Sequence, residues 1–141
     1  MIKTIFHTPC GDIIENIDLE TMRRYLIDEF NSYWSQGSGD GFIDYYVDNH
    51  KISTMMLGPN EEYGIYLHVI DYKSDEEWLS IYNKNLLEEV VETADEIYAS
   101  VGLFLPLGLA WQGVECFLIH GDLSKKINWS QPDIIPDGGN W

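Results

Sequence analysis

Basic residues are scarce. Only 8 Lys and Arg stand against 24 Asp and Glu, which gives a formal net charge of −16. A surface of that sign repels nucleic-acid phosphates and anionic lipid, so direct binding to DNA, RNA or a membrane is a poor expectation. It attracts instead a basic protein, or fills a groove that normally receives a polyanion. Cysteine is nearly missing: Cys10 and Cys116 are too few and too far apart for a disulfide framework, and are expected as free thiols. Long apolar runs are missing as well. No segment approaches the roughly 18 apolar residues that span a bilayer. The opening Met1-Ile-Lys-Thr-Ile-Phe-His7 has neither the apolar stretch nor the small-residue cleavage site of a signal peptide. The expectation is a soluble, cytoplasmic protein.

Catalytic signatures are equally thin. There is no Gly-x-Ser-x-Gly elbow, and neither cysteine stands in a recognised nucleophile context. The glycines of Gly37-Ser-Gly-Asp-Gly41 lack the Lys and the strand-to-helix setting of a phosphate loop, and read as a linker. His7 and Cys10 sit three apart, but His50, His68, His120 and Cys116 supply no second close pair for a tetrahedral metal. The His-x-Glu and Pro-Cys-x-x-Cys pair of the zinc deaminases is absent. These readings point to no enzyme, no metal and no cofactor.

What is present suffices for a real core: 45% of the 141 residues are hydrophobic, enough for one domain over residues 1–141 with an irregular tail at 130–141. Leu19, Met22, Leu26, Phe30 and Tyr33 fall on one helical face, after a lead-in over Asp12–Asp18 in which Asp18 is the N-cap. Phe42–Asp48 and Lys51–Leu57 are rich in β-formers and are joined by Asp48-Asn-His. Gly58–Glu62 reads as a turn, Tyr63–Tyr72 as a central strand, Lys73–Trp78 as a charged connector and Leu79–Tyr82 as a short strand. Over Leu86–Val101 the apolar positions have helical spacing, with two strands, Glu89–Thr93 and Ile97–Ser100, as the competing reading. Leu105–Gly121 reads as a helix with Pro106 in its first turn, Ala110, Val114, Phe117 and Leu118 as the buried stripe, and Gly121 just past its end. Lys126–Trp129 is expected as a closing strand, followed by a tail pinned by Ile134, Ile135 and Trp141. The fold class is α+β: an antiparallel meander with an N-terminal and a C-terminal helix packed on it.

Aromatic residues mixed with acids rise above background. Tyr45, Tyr46 and Trp78 lie among Asp40, Asp44, Asp48, Asp71, Asp75, Glu76 and Glu77. Each ring alone is more often core than contact. As a set, aromatic anchors ringed by charge suit an interface with a basic protein. The segments Asp40–Asp48 and Asp71–Trp78 are therefore the expected docking surface.

Gly102-Leu-Phe-Leu-Pro106, Leu109-Ala-Trp111, Val114-Glu-Cys-Phe117, Gly121 and Ile127-Asn-Trp129 together resemble the ending of a bacterial immunity family. Its members are the small Imm-type partners encoded beside polymorphic toxins, often toxins of the deaminase superfamily. Val90–Tyr98 is similar to the strands that lead into that ending, and on this ground Leu86–Val101 is expected to be mainly strand. Family members usually carry a Pro before the last strand, where this chain has Asp122-Leu-Ser-Lys-Lys126. The resemblance implies a non-catalytic protein of interbacterial competition. Such a protein forms a one-to-one heterodimer with its toxin and occludes the active site or substrate groove. A nuclease is the alternative toxin. A small enzyme using carboxylates such as Asp44 and Glu62, or an acidic adaptor, is the alternative function.

Overall fold

In the computed structural model, which describes residues 1–36, 39–94 (Ala94 by its backbone alone) and 97–141, the chain opens on a strand and not on the expected helix. Strand β1 (Ile2–His7) turns Thr4 and Phe6 inward and pairs with β2 (Ile13–Glu15), which occupies part of the expected lead-in. The turn between them is closed by Thr8, whose hydroxyl accepts the Asp12 N–H at 3.0 Å and whose carbonyl accepts the Gly11 N–H at 3.0 Å. Six residues carrying a lysine and two polar inward or flanking positions give too little alternation to announce a strand.

The expected helix follows, but it is not continuous. Asp18 caps it as expected, its carboxylate accepting the Thr21 N–H at 2.7 Å. Helix α1 (Leu19–Arg23) passes into a π-helical turn over Arg24–Asp28, closed by a Glu29 N–H to Arg24 carbonyl bond of 2.8 Å, and then into α2 (Phe30–Tyr33). The buried side chains explain the break. Met22, Leu26, Phe30 and Trp34 are all buried and stand four apart. At 3.6 residues per turn, steps of four drift by about 40° each. One wider turn takes the drift back and keeps all four on the core side.

The remaining strands are β3 (Gly41–Val47), β4 (His50–Asn60), β5 (Gly64–Asp71), β6 (Glu76–Ile81), the pair β7 (Val90–Ala94) and β8 (Ile97–Ser100), and β9 (Asn128–Ser130). Seven of them form one antiparallel sheet in the order β2-β1-β3-β4-β5-β6-β9, while β7 and β8 form a separate hairpin. The β3–β4 loop is the two residues Asp48 and Asn49, both at positive φ (50° and 68°), as a primed hairpin turn requires. Strand β4 runs on through Gly58-Pro59-Asn60, where a turn was expected. Because β3 ends opposite Leu57, Pro59 meets only β5. Ile52 is an extra residue in β4, since Tyr45 pairs with Ser53 and Tyr46 with Lys51. Strand β6 begins inside the expected connector. The strand reading of Leu86–Val101 holds, because β7 and β8 pair antiparallel, Val91 opposite Ala99 and Glu92 opposite Tyr98; along β8 Ile97 and Tyr98 are exposed and Ala99 and Ser100 buried. Asp95 and Glu96, the expected joint between those strands, and Gly37 and Ser38 of the glycine loop lie outside the described residues.

Helix α3 (Leu107–His120) buries the expected Ala110, Val114, Phe117 and Leu118, and Trp111 and Gly113 with them. It stops at Gly121, at φ 65°, where a Cβ would meet the Tyr45 ring at 2.5 Å. The helices cover one face of the sheet and close the larger core, built on Phe6, Ile43, Met55, Leu67, Val114 and Phe117. A smaller core lies on the opposite face, where Tyr66, Leu79 and Ile81 meet Leu87, Ala99, Leu103 and Phe104. Ile134 and Ile135 pin the tail on the smaller core as expected, and the Ser100 N–H donates to the Asn140 carbonyl at 2.8 Å. Trp141, expected as a pin, is instead 43% exposed. Among the described residues no helix is long and apolar enough to cross a membrane.

Candidate functional site

The strand period divides the Asp40–Asp48 segment between two environments. Tyr45 points to the helices. It is buried, lies edge-on to Phe117 with ring centroids 5.9 Å apart, and donates its hydroxyl to the Ile119 carbonyl at 3.3 Å. Its ring belongs to the core and is not available to a partner, which corrects its place in the expected docking surface. Asp44 faces the opposite side of the sheet, yet it is only 5% exposed. Its carboxylate accepts the Thr54 hydroxyl at 2.6 Å, lies 3.0 Å from His7 Nε2 and has Lys51 Nζ at 4.0 Å; the Thr54 hydroxyl is 3.1 Å from that of Tyr72. Asp44 is thus satisfied within the chain and is the one carboxylate buried among the described residues.

Around it the open part of the sheet carries two lysines laid on rings and a stacked imidazole. Lys3 Nζ is 5.1 Å from the Tyr46 centroid, Lys51 Nζ is 5.7 Å from that of Tyr72, and His7 stacks on Phe42 at 4.2 Å. Tyr46 is half-buried there. Asp48 is exposed at the hairpin tip, where the Met1 ammonium pairs with it and holds its carboxyl below the usual range. Asp40 is half-buried near Tyr66, whose hydroxyl is pushed up to about 12 by burial first and by the Asp40 charge second.

The second expected segment is brought together with residues that the sequence reading missed. A cleft of about 400 Å³ opens where β4, β5 and β6 meet the C-terminus of α3. Asp71, Glu76 and the half-buried Trp78 line it, and so do Lys73, His120 and Asp122. Part of this charge is already engaged. Asp71 accepts the Lys73 N–H at 2.9 Å, Glu76 accepts Gln131 Nε2 at 2.9 Å, and Asp122 accepts the Leu123 N–H at 2.9 Å. Asp75 is exposed at φ 59° in the turn beside the cleft. Glu77 points to the other face, 3.2 Å from His68 Nε2. Burial holds the His68 imidazole below its ordinary pKa, against the opposing pull of Glu77.

Asp44 and Glu62, weighed as a carboxylate pair, are not brought together. Asp44 pairs with Thr54, and Glu62 lies beyond Asn60 in the next turn, about 20 Å along β4 at the usual rise per residue. Both cysteines are free thiols; Cys10 is exposed, and burial pushes up the half-buried thiol of Cys116. Among the described residues no group of three or more His, Cys, Asp or Glu is placed to hold a metal ion. His7 would have been found as a partner of Asp44 had β1 been recognised and paired with β3, since the strand period then puts both on one face. His120 and Asp122 join the cleft only through tertiary packing. Compared with family models, with curated proteins and with solved structures, the chain has no match.

Proposed function

We propose that the protein is an immunity protein, one that binds a basic toxin domain one to one and blocks its active site or substrate groove. The toxin is a nucleic-acid-targeting deaminase in the first instance and a nuclease in the second. The observation that carries this reading is where the acid excess sits. Asp44 alone is a buried carboxylate among the described residues, so nearly all of the −16 charge faces solvent. A toxin that acts on nucleic acid holds its substrate in a positive groove, and an acidic globular surface competes for that groove with favourable long-range attraction. Fast capture follows from the same field, and it protects a producing cell from its own toxin. The resemblance of Gly102–Trp129 to the ending of the Imm-type family supports the same reading. The cleft edge Asp71–Trp78 remains a docking candidate on grounds of charge.

The test is an activity assay on the toxin domain encoded beside this gene, with oligonucleotide deamination and plasmid cleavage as parallel readouts. Turnover should vanish near one equivalent of this protein, and added salt should slow the onset of inhibition. Full toxin activity in both assays at a twofold excess would overturn the proposal.

A further inference from the structure

Three of the exposed large apolar side chains fall on one hairpin, away from both segments expected to dock. Val90, Ile97 and Tyr98 are 42%, 48% and 47% exposed, and all three belong to the β7–β8 hairpin. Cross-strand register pairs Val91 with Ala99, which face the smaller core, and Glu92 with Tyr98, which face away from it. On the outer face Val90 and Tyr98 stay open to solvent, while Ser100 on the same face is sealed by Leu87 and by the tail at Gly139 and Asn140, and Ile97 stands on the Ala99 side. The hairpin is also firmly mounted. Asn60 Nδ2 donates to the Glu92 carbonyl at 3.0 Å, the Val101 N–H donates to the Glu89 carbonyl at 2.8 Å, and Asn140 Nδ2 donates to the Tyr98 carbonyl at 2.7 Å. An apolar surface held rigid in this way loses little conformational freedom when a partner covers it.

Its surroundings indicate what that partner is. Glu88, Glu89 and Glu92 are all exposed on the strand that carries Val90 and on the approach to it. An aromatic and aliphatic centre inside a ring of one charge is the arrangement of an interface core with its rim, and a rim of carboxylates selects a basic surface. We infer that the outer face of the β7–β8 hairpin, centred on Val90 and Tyr98 and rimmed by Glu88, Glu89 and Glu92, docks on a basic protein domain. This inference rests on the immunity reading, which makes that domain the toxin, and it moves the contact away from both segments expected from the sequence. The open face around Asp44 is the weaker alternative, because it exposes Lys3 and Lys51 and would repel the same partner. The cleft near Trp78 is weaker too, because Lys73 stands among its carboxylates and would repel the same partner.

The test measures association and dissociation of the toxin domain encoded beside this gene, at low and at moderate salt. It uses the wild type, Val90→Thr with Tyr98→Thr, Glu88→Lys with Glu89→Lys, and Asp75→Asn with Glu76→Gln at the cleft. Circular dichroism and thermal melts verify that each variant folds, and hydrogen exchange of the β7–β8 amides is compared with and without toxin. The apolar pair should weaken binding by about tenfold or more through faster dissociation, as loss of interface anchors does. The charge reversal should slow association severalfold at low salt and less at moderate salt. The cleft variant should bind as wild type does, and the hairpin should gain exchange protection in the complex. Wild-type binding that both hairpin variants retain, with loss at the cleft variant, would refute this docking face and leave the immunity reading standing. Failure of the wild type to bind would remove both.

Discussion

Gly64 is the position where a single methyl group should do the most damage. It opens β5 at φ 107°, and a Cβ there would stand 2.0 Å from the Leu105 carbonyl oxygen. That carbonyl is not a loose neighbour. Leu105 and Ile65 bridge in both directions, with N–H to carbonyl distances of 3.1 and 2.9 Å, and the bridge fastens the segment before α3 to the sheet. Gly64→Ala therefore imposes a backbone conformation that costs a side-chain-bearing residue roughly 1–3 kcal/mol. It also pushes apart two buried backbone hydrogen bonds, each worth about 1 kcal/mol. The combined loss is about 3–5 kcal/mol, or roughly 10–17 °C in Tm at this chain length. Gly108→Ala is the matched control: a Cβ there meets nothing within 4 Å, and the residue lies in the first turn of α3. That change should be stabilising by about 0.5 kcal/mol through helix propensity alone. Urea unfolding of both variants, followed by circular dichroism and tryptophan fluorescence, gives the two numbers. A Gly64→Ala loss below 1 kcal/mol would show that the Leu105 segment yields freely, and the account of how α3 is anchored would be wrong.

Two further outcomes follow from the core and from the buried imidazole. Phe117 is fully buried between α3 and the sheet, so Phe117→Ala should cost about 3–5 kcal/mol, read from the same urea transitions. His68 is held neutral by burial, so its folded pKa lies below its unfolded value of about 6.5. Its contribution is complete above that unfolded value and is lost as the pH falls below it, because the unfolded chain then takes up the proton first. Between pH 7.5 and 5.5 the wild type should lose more stability than His68→Asn, and parallel profiles would exclude His68 as the source.

Local chemistry was legible wherever it was self-contained. The Asp18 cap, the primed turn at Asp48 and Asn49, and the glycine that ends α3 each depend on a few neighbouring residues, and each is found where the sequence places it. The interrupted helix was only half legible. Spacing of four fits a helical face, but the drift it creates becomes visible only when all four side chains must reach one core. Strand β1 was missed because β3, the longer of its two partners, lies some forty residues away, and with it went the environment of Asp44. The first acid–aromatic segment is divided for a related reason. Sequence proximity puts Asp44 beside Tyr45, whereas the strand period puts them on opposite faces, one paired and one in the core. Over the hairpin the apolar residues fit a helical face as well as two strands; the strand reading favoured by the resemblance is the one the cross-strand register bears out.

One strand serves two cores. In β5, Ile65, Leu67 and Val69 belong to the helix-side cluster, while Tyr66 between them belongs to the cluster beneath the hairpin. The same division recurs in the hairpin, where Val91 and Ala99 look inward and Glu92 and Tyr98 look out. On the docking face inferred above, contacts would be made by residues other than those that hold the hairpin in place. Exchanging an outward side chain there leaves the inward packing of Val91 and Ala99 untouched, so a change of surface need not cost the fold.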